Sequence, residues 1–181
     1  ATFNGGASQF GTVFKVDPSG SYSVLHDFDG TGGSNPYGPL TLDSAGNLYG
    51  TTSAGGSSGL GTVFEIDTLN NYSVLHNFAG GGADGSTPYI GVVIESSGDL
   101  FGTTNRRGPA DAGTICEISS TSNFSVLYSF TGGSDGANPI AGAMMASAGT
   151  LYVTTSLGGS GYAGGPLPGT LFKFSATTGP V

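Results

Sequence analysis

An all-β, β-propeller-like array of about four four-stranded repeats, the first and last incomplete, is the fold that the sequence predicts. Three observations predict it. The stretch GTVFKVDPSGSYSVLHDF at 11–28 returns as GTVFEIDTLNNYSVLHNF at 61–78 and GTICEISSTSNFSVLYSF at 113–130, and begins again as GTLFKFSATTGPV at Gly169. Its spacings of 50, 52 and 56 residues suit propeller blades of several short strands rather than helical solenoids. Gly supplies 35 of 181 residues, and no window places apolar residues at three- and four-residue spacing over three turns, so long helices are excluded.

Each repeat reads as four strands. The first follows a Pro, as YGPLTLDS at 37–44, YIGVVIES at 89–96 and IAGAMMAS at 140–147. A Gly-containing turn, of the kind that accepts positive φ, leads to the second, LYGTT at Leu48, LFGTT at Leu100 and LYVTT at Leu151. The GTVF-type segment is the third. In the fourth, YSVLHDF and its relatives, the two-residue period places Tyr22, Val24, His26 and Phe28 on one face and Ser23, Leu25 and Asp27 on the other. Antiparallel strands of this kind, stacked repeat on repeat, build a propeller-like array.

The repeats fall at about 1–35, 36–87, 88–138 and 139–181 of a single domain. The expected core is Val13, Phe14, Val63, Phe64, Ile115, Leu171 and Phe172 with Leu25, Leu75, Leu127, Phe28, Phe78 and Phe130.

Charged residues make up only 9% of the chain, far below the usual ~25%, so Ser, Thr, Asn and Gly must cover the surface. That composition suits an extracellular or cell-surface protein. With 12 acidic and 4 basic residues the net charge is −8, which argues against nucleic acid or an anionic membrane as partner. Arg106 and Arg107 sit in a Gly/Pro loop and read as a solvated tip. No apolar run approaches the ~18 residues of a spanning helix. Cys116, the single cysteine, stands where sister repeats have Phe14, Phe64 and Phe172, so it reads as an inert apolar filler and no disulfide framework exists.

LYGTTSAGG, GTVF, YSVLH and the Gly/Asp-rich loop before Pro together resemble the GloVer-type tandem repeats of bacterial secreted and surface proteins, over essentially the whole chain. The resemblance implies a secreted, propeller-like or related all-β array, commonly part of larger anchored proteins, with no established catalytic residues to carry over. The third copy departs from the pattern, with LYVTT for LYGTT and an enlarged loop at 156–168.

Candidate chemistry is sparse, and neither a catalytic residue nor a cofactor is assigned. His26 and His76 occupy equal positions, with Tyr128 in the third copy, and read as polar-tipped rings on a half-buried strand. Asp29, Asp84 and Asp135 in the loops before Pro are the calcium candidates, but with one acid per loop an Asx-type turn is the preferred reading. Asn71 and Asn123 begin sequons. Among exposed aromatics, Tyr162 in the insertion is the candidate ligand contact, whereas Tyr37 and Tyr89 read as packing residues. A propeller glycosidase or lyase would rest on analogy alone.

Two functions follow. The chain opens within strand two of a repeat and closes after strand three, so head-to-tail self-association into a filament, surface layer or adhesive coat is expected, with contacts near the termini. The alternative is a secreted binding module for a glycan or peptide.

Overall fold

The structure, a computed structural model, describes residues 1–81, 84–147, 149–159, 169–176 and 179–180. These residues are all-β, without helix. The first sheet pairs β1 (Thr12–Val16) with β2 (Tyr22–Asp27), and Thr2 bridges Thr12 alongside. The second holds β3 (Ser34–Pro36), β4 (Thr41–Leu42), β5 (Leu48–Ala54), β6 (Thr62–Ile66) and β7 (Tyr72–Asn77). After β8 (Gly85–Ser86), the third contains β9 (Val93–Ile94), β10 (Leu100–Thr104), β12 (Thr114–Ile118) and β13 (Phe124–Ser129), while β11 (Arg106–Arg107) pairs with β8. The fourth is β14 (Ala137–Pro139), β15 (Met144–Ser147), β16 (Thr150–Leu157), β17 (Leu171–Ser175) and β18 (Gly179–Pro180). All of the strand pairings are antiparallel.

Local chemistry explains the hairpins. Between β1 and β2 the Asp17 carboxylate accepts the amides of Ser19 and Ser21 at 2.8 and 2.9 Å. Asp67 does the same for Leu69 and Asn71 between β6 and β7. Such Asx turns reverse the chain without help from the core. The strand expected after each Pro is shorter than the sequence suggests, reduced to two residues in β4 and β9. Pro36 and Pro39 lack amide donors, and the Gly38 and Gly91 backbones pass too close to admit a Cβ at Gly38. This stretch is spent on contact between repeats.

A β-bulge corrects the strict alternation expected in strand four. Val13 pairs with His26 and Phe14 with Val24, leaving Leu25 extra. The same slip recurs at Val63/Phe64 and Ile115/Cys116. Two residues opposing one reverse the facing beyond the bulge, so Tyr22 and Val24 share a face with Phe14 while His26 lies on the Val13 side.

Three buried clusters lie between successive sheets. Val13 and Phe28 meet Phe64 and Ile66; Val63 and Phe78 meet Leu100, Cys116 and Ile118; Phe101, Ile115 and Phe130 meet Leu151, Val153 and Phe174. Each inner sheet is therefore packed on both faces. Burying one such Phe or Ile contributes roughly 1.5–3 kcal/mol.

The expected core holds for Val13, Val63, Phe64, Ile115, Phe28, Phe78 and Phe130, all buried. Leu25, Leu75 and Leu127 are half-buried because each is the extra residue of a bulge. Phe14 and Phe172 are also half-buried, and Leu171 is exposed. Phe14 and Leu171 lie on outward faces of the first and last sheets, where no further sheet is packed among the described residues.

Candidate functional site

Three surfaces stand out: the outward faces of the first and fourth sheets, and an aromatic cleft to which several repeats contribute. The outward face of the first sheet carries Phe14, Val16, Tyr22 and Val24. Val16 is 56% exposed, whereas its counterparts Ile66 and Ile118 are 1% and 4% exposed against a preceding sheet. At the other end, Leu171 is 70% exposed, while Val13, Val63 and Ile115 at the same repeat position are between 0% and 2%. Met144 on the neighbouring strand β15 is exposed as well.

The cleft is built from the residues that follow Pro in successive repeats. Tyr37, Tyr89 and Ile140 converge with Phe3 around a volume of about 490 Å³. The Tyr37 ring lies 5.9 Å from Phe3 and 5.6 Å from Tyr89, both edge to face. Residues before Pro position it: Asn35, Thr87 and Asn138 adopt φ of 58°, 56° and 54°, a left-handed conformation that Asn tolerates better than most residues. The Asn35 side-chain amide donates to the Phe3 carbonyl at 3.1 Å and that of Asn138 to the Asn105 carbonyl at 3.0 Å. Ile140 also borders a second cleft of about 490 Å³ lined by Asn105, Arg106, Asp111, Asn138, Ser156 and Leu157.

The structure separates the calcium candidates. Asp29 accepts the Thr31 amide and hydroxyl at 2.9 and 2.8 Å, an Asx-type turn. These bonds hold its carboxyl below the ordinary range, the Thr31 hydroxyl contributing most. Asp84 and Asp135 share a different role. Asp84 accepts the Ala79 amide at 2.7 Å and faces His76 Nε2 at 3.4 Å; Asp135 accepts the Thr131 amide at 2.7 Å and the Tyr128 hydroxyl at 2.9 Å. Each closes its loop onto the ring of strand four. Among the described residues no three His, Cys, Asp or Glu side chains gather as a metal site.

Asn71 and Asn123 are exposed at the turns before β7 and β13, their side-chain amides donating to Asp67 at 2.8 Å and Thr121 at 2.9 Å. Tyr162 lies outside the described residues. Tyr37 departs from the packing role expected of it, being 64% exposed. Arg106 and Arg107 are exposed, but they form strand β11 rather than a loop tip.

Cys116 is buried against the second sheet, its thiol directed to the Gly102 carbonyl at 3.5 Å, and burial, followed by the charge of Asp84, pushes it up to about 12. Asp43 and Glu65 meet at the Tyr49 hydroxyl, each 3.2 Å away. Burial raises Asp43, but hydrogen bonds led by the Asn47 amide outweigh it and hold the carboxyl below its ordinary range.

Sequence reasoning missed a set of hydroxyl pairs, buried in the two inner sheets and part-buried in the outer two, that tie strand two to strand three. Thr2–Thr12, Thr52–Thr62, Thr104–Thr114 and Thr155–Thr170 lie 3.0, 2.8, 2.8 and 2.9 Å apart. The recurring second Thr of LYGTT and the Thr of GTVF were their visible signal.

No curated protein matches the chain. The repeat signatures, the recurring sheets and a family match spanning residues 1–172 place this chain in the Gloeobacter/Verrucomicrobia repeat family.

Proposed function

We propose that the protein is a non-enzymatic extracellular structural subunit that assembles head to tail, its sheets acting as blades of a propeller-like array that continues from one copy to the next. The observation that carries this reading is the difference in exposure at equivalent repeat positions. Leu171 presents the side chain that Val13, Val63 and Ile115 bury against a following sheet. Val16, Tyr22 and Phe14 present the face that Ile66, Tyr72 and Phe64 bury against a preceding one. Joining these faces reproduces a contact the chain makes internally, and a heterologous contact that does not close on itself propagates. Low charge and a Ser/Thr/Asn/Gly-rich surface support a place outside the cell.

Sedimentation velocity across a concentration series, with electron microscopy of the largest species, tests the proposal. The chain is expected to form concentration-dependent linear or helical particles. Val16→Glu and Leu171→Glu, each at an exposed site, are expected to leave monomers with an unchanged circular dichroism spectrum. A chain that stays monomeric at every concentration overturns the reading, as does assembly that survives both substitutions.

A further inference from the structure

The geometry points to the cleft of Phe3, Tyr37, Tyr89 and Ile140 as a binding site for a neutral polysaccharide. Most aromatic rings in this chain are spent between sheets, but Tyr37 and Phe3 are held in the open. They are not loose. Edge-to-face contacts join Phe3, Tyr37 and Tyr89 in a row, and the Asn35 amide fastens the Phe3 backbone beneath them. A rigid exposed row of rings costs little conformational freedom on binding.

The chemistry of the lining selects the ligand. Its residues combine apolar faces with Tyr hydroxyls and bear no charge, which suits a sugar ring with C–H groups on its face and hydroxyls at its rim. The neighbouring cleft beyond Ile140 adds the Arg106 guanidinium, whereas its Asn105 and Asn138 amides already donate to the Pro139 and Asn105 carbonyls and Asp111 accepts the Arg107 amide. Arg106 makes no side-chain hydrogen bond or ion pair among the described residues, leaving its guanidinium donors for hydroxyls. A few directional polar groups beside a largely apolar wall are the usual make-up of a ligand cleft. The net charge of −8 disfavours polyanions. A long neutral chain could run from the ring row into the polar cleft, with sugar faces on Tyr37 and hydroxyls at Arg106.

Affinity gel electrophoresis against cellulose-derived, β-1,3-glucan, xylan and dextran polymers tests the site, followed by calorimetry with the matching hexasaccharide. Both are run on the Leu171→Glu chain so that self-association does not contribute. At least one neutral glycan is expected to retard the protein. Tyr37→Ala is expected to weaken that binding at least tenfold and Arg106→Gln severalfold, both with an unchanged circular dichroism spectrum; Tyr37→Ala gives up two edge-to-face ring contacts and is expected to lower the unfolding midpoint slightly, whereas Arg106→Gln leaves it in place. The proposal is overturned if none of these glycans binds, if Tyr37→Ala binds as well as the parent, or if a sulfated glycan or a proline-rich peptide binds in preference.

Discussion

The imidazole of His26 lies flat on the phenol ring of Tyr72, with 3.7 Å between centroids and 5° between planes. His76 and Phe124 repeat the arrangement one sheet later, at 3.6 Å and 4°. A ring near the end of strand four in one repeat thus covers the ring that opens strand four in the next. Where the fourth repeat supplies no such ring among the described residues, Tyr128 settles on Phe172 instead, at 4.8 Å and 33°. Tyr22, counterpart of Tyr72 and Phe124, packs beside Phe14 at 5.2 Å but is 58% exposed.

The stack makes stability sensitive to pH. Burial, the largest influence, lowers His26 below its ordinary value of 6.5, against the opposing charges of Asp29 and Asp27. The unfolded chain therefore takes up the proton first. The contribution is fully present above the unfolded value and is lost as pH falls through the folded one. Urea midpoints are expected to decline between about pH 7 and 5, before the carboxylates protonate, and less steeply in His26→Phe. Parallel profiles for the two proteins contradict this account.

Equivalent residues should differ in cost according to what covers them. Phe64→Ala empties a fully enclosed site and is expected to destabilise by about 3–5 kcal/mol. Phe14→Ala removes the same ring from a half-covered face and is expected to cost less than half as much. Chemical denaturation of both variants checks the facing of the sheets, and equal losses show it to be wrong.

The Thr pairs offer a test at constant shape. Thr104→Val leaves the Thr114 hydroxyl, buried 2.8 Å from its present partner, without that bond, and the Thr114 amide loses its 3.2 Å contact to the same oxygen. An unsatisfied buried polar group costs about 1–3 kcal/mol. The loss is to be read from the denaturation midpoint, and a second change, Thr114→Val, is expected to recover part of it.

The sequence by itself determined the repeat, its all-β character, the strands carrying GTVF and YSVLH, and the burial of Phe28, Phe64, Phe78 and Phe130. These features depend on local periodicity and turn chemistry, which repeat legibly along the chain. It also showed Cys116 as a filler of a Phe position, since the copies can be aligned by eye. Only the tertiary structure decided which face each residue takes, because one extra residue at Leu25, Leu75 and Leu127 reverses the alternation without any signal in composition. It alone separated Leu171 from Ile115 and Val16 from Ile66, since a residue's burial depends on whether another sheet lies against it. The convergence of Phe3, Tyr37, Tyr89 and Ile140 was likewise hidden, because residues far apart in the chain meet there only when the sheets pack side by side and the Gly38 and Gly91 backbones come into contact.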